Sequence, residues 1–457
     1  MISEDSTKGV EILLGDPKAA IRSLSGPLVV SMLITSIYNL VDGIWVAGLG
    51  ADALAGVGFV IPLFLVLIGL GNGLGGGATA AISRYIGEGN KAKADNGAVH
   101  SIILTIIISI IVTAILLLIL DPLLIIRGAA HTLPYAHEYG MVMFLGTILF
   151  VLPNAMYGIL RAEGDVKRTM YAMILSAILN IILDPILIYI LGLGVAGAAL
   201  ATLISTGSVL LVLYYWMFVK KDTYLNPYLS NFKFSRQISL DILGVGIPAS
   251  LEMIMTATFA AFFSAILAIV AGTDAVAVYS TGWRVVNIGM MPTVAISTAL
   301  VSVVGANFGA RRYENIRIAQ RYSILLAVAC AVVVGVLIYL FAPQIVYVFS
   351  YSDNSAHLAA PMAAFLVTMI PYFIFSAIGA PATLTFQGLG KGLTAMVQTV
   401  FRQLIFSIIF SYLFAITLGF GEHGAWWGII AGSLCACMLT FAWSNWYVGR
   451  LIKYGKT

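Results

Sequence analysis

Residues 26–50 read GPLVVSMLITSIYNLVDGIWVAGLG, and residues 169–194 read TMYAMILSAILNIILDPILIYILGLG. Each stretch is long and apolar enough to cross a bilayer as a helix, for which about 20 residues suffice. Each also carries one carboxylate, Asp42 in the first and Asp184 in the second. An acid at membrane depth costs roughly 3 kcal/mol on insertion scales, so it faces a cavity or a partner and marks an ion or proton path. The competing reading is a hydrogen-bonded packing acid.

The rest of the chain has the same character. Of its 457 residues 60% are hydrophobic and only 10% are charged, where a soluble domain carries about 25% charged residues. This predicts an all-α polytopic membrane protein. The polar start of the chain has no short apolar core with a cleavage site, so the first span is expected to serve as the anchor. Cys330, Cys435 and Cys437 all fall in apolar spans, which argues against a disulfide framework and against a metal site. The net charge of +4 gives no reason to expect nucleic acid as a partner.

Apolar runs predict twelve spans, near 27–49, 55–82, 98–120, 139–160, 170–191 and 195–219, then 242–271, 275–305, 322–349, 359–386, 396–418 and 424–449. Twenty-one of the 24 Lys and Arg residues fall in the N-terminus, the even-numbered loops and the C-terminus; Arg161 is counted among them. By the positive-inside rule both termini are cytoplasmic. The expected organisation is a cytoplasmic segment 1–26, an N-lobe 27–219, a cytoplasmic linker 220–241, a C-lobe 242–449 and a tail 450–457. The lobes repeat one another. ADALAGVG at 51–58 aligns with TDAVAVYS at 273–280, and YIGEGNKA at 85–92 with NFGARRYE at 307–314, both at an offset of 222. Six spans per copy gives both copies the same orientation, so two pseudo-symmetric six-helix bundles are expected around a central cleft, the usual architecture for alternating access, although channels are also built from repeats.

Depth can be counted from the span ends. Asp42, Asp184 and Thr202 each lie about seven residues from an outer end, roughly 10 Å below the outer surface at 1.5 Å per residue. Asn180 and Tyr38 sit four residues before Asp184 and Asp42, on the same helix faces. Two carboxylates, an amide and two hydroxyls therefore have the chance to converge in one lobe. Oxygen ligands suit a hard cation such as Na+, held by Asp42, Asn180, Asp184 and Thr202, and paired buried acids suit a proton. The second lobe has no equivalent: Ser264 stands opposite Asp42, and spans 11 and 12 contain no acid. It does carry Glu252, readable either as a second coupling acid or as a partner of Arg284. GNGLGG at 71–76 lies within a span with no preceding strand, so it does not read as a nucleotide site; Gly69, Gly73 and Gly77 read as close helix packing. Pro27 shares Asp42's helix and is a candidate bend.

YNLVDGIWVAGLGADALAGVG, SRYIGEGN, GILRAEGD, NIILDPILIYILGLGVAGAALAT and FQGLGKG together resemble the multidrug and toxic compound extrusion (MATE) transporters, in particular their DinF-like archaeal branch. The resemblance covers nearly the whole chain. It implies a cation-coupled (H+ or Na+) antiporter of the cell membrane that exports amphipathic, often cationic, drug-like compounds, without a cofactor and as a monomer. It maps the ion site onto Asp42, Asn180, Asp184 and Thr202 with Tyr38 and Tyr139 nearby, the bending proline onto Pro27, and positions close to the drug cleft onto Asn154 and Met173. Glu252 resembles the seventh-helix acid of other branches, but their tenth-helix acid has no counterpart in 359–386. The alternative is a lipid-linked saccharide flippase of the wider superfamily, which would favour a strongly basic cleft. An enzyme is not expected: AEGD at 162–165 departs from the GxGD motif of intramembrane proteases at Ala162.

Overall fold

The computed structural model describes residues 7–129, 131–348 and 356–455. The first six residues of the expected N-terminal segment and the last two of the tail lie outside them. Among the described residues there is no strand, and ten helices are long and apolar enough to span a membrane. Helices α1 (Lys8–Leu14), α2 (Pro17–Ala47), α3 (Ala51–Gly87) and α4 (Lys91–Ile126) come first. The pair α5 (Leu133–Leu145) and α6 (Thr147–Ala162), bent by 47°, makes a further span. α7 (Val166–Pro185) and α8 (Gly194–Tyr214) each run on into a π-turn. The 74-residue α9 (Arg236–Gly309) breaks at Gly272, whose φ of 78° is left-handed and cheap only for glycine, so it supplies two spans. α10 (Tyr313–Tyr347), the pair α11 (Ala359–Thr368) and α12 (Ile370–Gly388), the segment α13 (Gly392–Val400) to α14 (Ser407–Tyr412), and α15 (Gly421–Tyr454) complete the set. Split at Gly272, and with α5–α6 as one span, the chain has twelve spans among the described residues, as the sequence predicts.

The first span begins ten residues earlier than its apolar run. Asp16 accepts a hydrogen bond from the Ala19 N–H at 2.9 Å and Pro17 occupies the first turn, a strong start signal. Pro27 is therefore interior to α2 rather than at its edge, and its missing N–H leaves one backbone carbonyl of that helix without its usual donor. The helix also serves both lobes. Ile21, Leu24 and Leu28 are buried in one apolar core with Ala299, Val303 and Ile316 of the second lobe, whereas Val46 is buried with Val60, Met143 and Ala199 of the first. Pro27 lies within the stretch held by the second lobe, since Leu24 before it and Leu28 after it share that core. The short α1 closes the same side: Gly9 packs backbone to backbone against Gly164, and Arg312 of the second lobe donates to the Leu14 carbonyl at 2.7 Å.

The repeat is visible in the way the lobes touch. At the basic-loop ends of α3 and α9, Gly87 lies against the Ala306 backbone and Gly309 against the Arg84 backbone. Those two contacts exchange under the offset of 222, which carries 87 to 309 and 84 to 306. Ser83 meets Gly305, its own equivalent, so the pseudo-twofold axis passes beside that pair. Any Cβ at Gly73 or Gly77 would strike the backbone of Gly246 or Ile242. Glycine at these positions lets two helices approach closely where the lobes meet.

Candidate functional site

Asp184 sits at the end of α7 just before Pro185, which cannot donate a backbone hydrogen bond, and the helix loosens into a π-turn over Ile186–Ile190. Its carboxylate is fully buried, as are Asn180 and, at 8% exposure, Thr202 of α8. The Asn180 amide donates to Asp184 Oδ1 at 3.4 Å and to Thr202 Oγ1 at 3.5 Å. Asp42 of α2 brings its carboxyl within hydrogen-bonding reach of Asp184. Tyr38 and Tyr139 lie close enough to both acids to sense their charge. The residues that depth counting and the resemblance single out are thus neighbours in space, drawn from α2, α5, α7 and α8.

The atoms left over define the chemistry. Asp42 Oδ1, Asp184 Oδ2 and Asn180 Oδ1 are all buried without a hydrogen-bond partner. Buried polar atoms in native proteins are almost always satisfied, so three orphaned acceptors from three side chains require an explanation. A proton bridging the acids would supply a donor, and a hard cation would take the same oxygens as ligands. No group of three or more His, Cys, Asp and Glu suited to a metal occurs among the described residues, so an ion here would rely on amide and hydroxyl oxygens as well.

Tyr38 connects this cluster to a cavity. It shares Asp42's face of α2, one turn earlier, and lines a cavity of about 220 Å³ in the first lobe. Asn154 and Met173 line the same cavity, beside Phe64, Phe150 and Tyr157. Asn154 is held by its own amide, which donates to the Phe150 carbonyl at 3.0 Å, and it packs against the bare backbone of Gly71 and Gly75. An aromatic wall with a few fixed amides is the usual composition of a small-molecule site.

Glu252 does not pair with Arg284. Arg284 is exposed, and no ion pair joins the two among the described residues. Glu252 accepts instead from the Gln387 amide at 3.3 Å, and the cation acting on it is Arg402. It lines a second cavity, of about 270 Å³, between the lobes. Arg161 lines that cavity too, although its place before AEGD had put it in a loop. It occupies the last turn of α6, from which a long side chain reaches back along the helix.

Asn39, Asn72 and Ser176 also line the first cavity and were not singled out from sequence. Asn72 lines both cavities, but its setting in GNGLGG drew attention only to the glycines around it. Asn39 follows Tyr38 directly, and an amide in an apolar span was the available signal.

Two repeated six-span lobes, a cleft between them and orphaned acids beside a cavity define a polytopic membrane transporter. The MatE family profile matches residues 27–186 and 248–413, one stretch in each lobe. The chain belongs to the MatE family, whose members are transporters and not enzymes. It is 27% identical over 420 residues to the multidrug export protein MepA of Staphylococcus saprophyticus, covering 90% of each chain. It is 29% identical over 337 residues to the FAD transporter of Shewanella oneidensis, covering 72% of this chain and 73% of that one. A solved outward-facing multidrug resistance MATE transporter of the MOP superfamily superposes with a TM-score of 0.95 at 40% identity, over 99% of this chain and 100% of the other.

Proposed function

We propose that this chain is a multidrug export antiporter of the cell membrane, with both termini cytoplasmic, driven by inward movement of H+ or Na+ through the first lobe. The observation that carries the reading is the set of orphaned oxygens on Asp42, Asp184 and Asn180, one helical turn from a tyrosine in the wall of a cavity. Kinship to a multidrug export protein supports amphipathic, drug-like compounds over a lipid-linked saccharide as cargo.

The mechanism follows from the placement. With the ion site empty, two carboxylates repel within a poorly solvated wall. Uptake of a proton or a sodium ion, with Thr202 as a further oxygen ligand, removes that repulsion and draws α2 toward α7. Because α2 is anchored in the other lobe's core by Ile21, Leu24 and Leu28, a shift at Asp42 is transmitted along the helix to the lobe contact. Tyr38 and the cavity wall move with it, so the drug is released as the ion binds. An ion shifts the conformational balance only by its differential affinity for the two states, and paired acids supply that difference. Glu252 takes a secondary part, since its partner is an amide rather than a second acid. The protein works as a monomer within the lipid bilayer.

Purified protein in sealed vesicles, given a sodium gradient and a proton gradient separately, tests the reading. Export of a fluorescent drug should follow at least one gradient. Export that needs neither, or that requires ATP, refutes it.

A further inference from the structure

Arg161 is an arginine without a partner. Its Nε is buried and makes no hydrogen bond, and no ion pair or hydrogen bond to any of its nitrogens occurs among the described residues. The residue as a whole is half-buried at the wall of the inter-lobe cavity, so its other donors are open to whatever fills that space. The side chain is not mispacked: it rests beside the bare backbone of Gly75, where an added Cβ would come within 3.1 Å of Nη2. The glycine makes room for the charge.

The guanidinium borders the inter-lobe cavity, and two features connect that cavity to the aromatic one. Asn72 stands in both walls, and Tyr157 of the aromatic cavity precedes Arg161 by one turn on α6. An elongated amphipathic molecule can therefore place its rings among Phe64, Phe150 and Tyr157 and a polar end at Arg161. Glu252 borders the same cavity but lies more than 4.0 Å from Arg161, since the two form no ion pair. A purely cationic cargo would leave the half-buried Arg161 without a protein or cargo acceptor.

We propose that Arg161 is the anion-recognition point of the cargo path, the residue that holds the carboxylate or phosphate of an amphiphile that bears one. Guanidinium presents a planar donor fork that matches such groups in two parallel bonds. The proposal rests on the transporter reading above and assigns one residue to the negative group of such cargo.

Rhodamine 19 and rhodamine 6G test it, because they share one xanthylium body and differ only in a free carboxylate against its ethyl ester. Binding of each dye to the purified full-length protein is measured by fluorescence anisotropy, with empty micelles as the blank and no gradient imposed. The wild type is expected to bind rhodamine 19 more tightly. The ratio of the two Kd values should collapse about tenfold in Arg161→Gln, as the loss of one charge-assisted contact predicts. Arg161→Lys, which keeps the charge and loses the fork, should retain part of the preference. A ratio that is the same in wild type and Arg161→Gln, a parallel loss for both dyes, or no wild-type binding of rhodamine 19 overturns the proposal. Because the ratio needs no gradient, it is read separately from ion coupling: a protein that discriminates by Arg161 yet exports nothing would defeat the antiporter reading alone.

Discussion

Glu163 offers a prediction that can be worked through from its surroundings. It follows α6 in the loop ahead of α7, outside the spans, and is only 1% exposed. Burial pushes its carboxyl up from 4.5 to about 8, although the Leu225 N–H donates to it at 3.0 Å and pulls the other way. Below pH 4.5 the group is protonated in both the folded and unfolded chain, and its native contacts are kept without charge. As pH rises toward 8 the unfolded chain has already released a proton that the folded chain still holds. Stability therefore falls across that window, and above it the fold carries the full cost of a buried carboxylate. At 1.36 kcal/mol per pH unit the ceiling is about 5 kcal/mol. The polar cavity beside Glu163 lets the charge relax, which brings the expectation to about 2–3 kcal/mol. Glu163→Gln keeps an oxygen acceptor for Leu225 and never ionises. With unfolding entropy near 2.1 cal/mol/K per residue, a chain of 457 residues gains about 1 °C per kcal/mol. Thermal melts followed by tryptophan fluorescence should show the variant equal to wild type at pH 5 and about 2–3 °C more stable at pH 9. A difference that does not change with pH, or a variant less stable at pH 9, would refute the reasoning.

Three further outcomes are expected. Arg312→Ala removes the charge-assisted bond to the Leu14 carbonyl, and hydrogen exchange over 8–14 should quicken by about tenfold while the spans keep their protection. Glu252→Gln should reduce export less than Asp42→Asn does; complete loss of coupling in the former with the latter active would move the coupling site to the second lobe. If sodium is the coupling ion, Asn180→Ala and Thr202→Ala should each weaken sodium-driven export several-fold more than proton-driven export, because each removes an oxygen ligand and neither removes a titrating group.

Much of the arrangement was legible because a membrane chain makes polar residues conspicuous. Asp42, Asn180 and Asp184 stand out from their neighbours, and periodicity with the offset of 222 located both lobes and the turn at Gly272. What escaped was set by tertiary packing. Of the two readings open for Glu252, the pairing with Arg284 does not form, because Arg284 is exposed while Gln387, an amide in FQGLGKG, reaches the acid. Arg161 was read by its place near a loop, whereas an arginine in a final helical turn extends back into the span. The early start of α2 was within reach, since Asp16-Pro17 is a capping signal, but the apolar run alone drew the boundary at residue 27.

The double variant Asp42→Asn/Asp184→Asn decides whether these two acids couple export to the ion gradient. It preserves size and hydrogen bonding at both positions while removing both charges. In sealed vesicles with imposed gradients, the variant should insert normally, retain drug binding and show no gradient-driven export. Robust gradient-driven export by that variant at wild-type abundance would contradict that role.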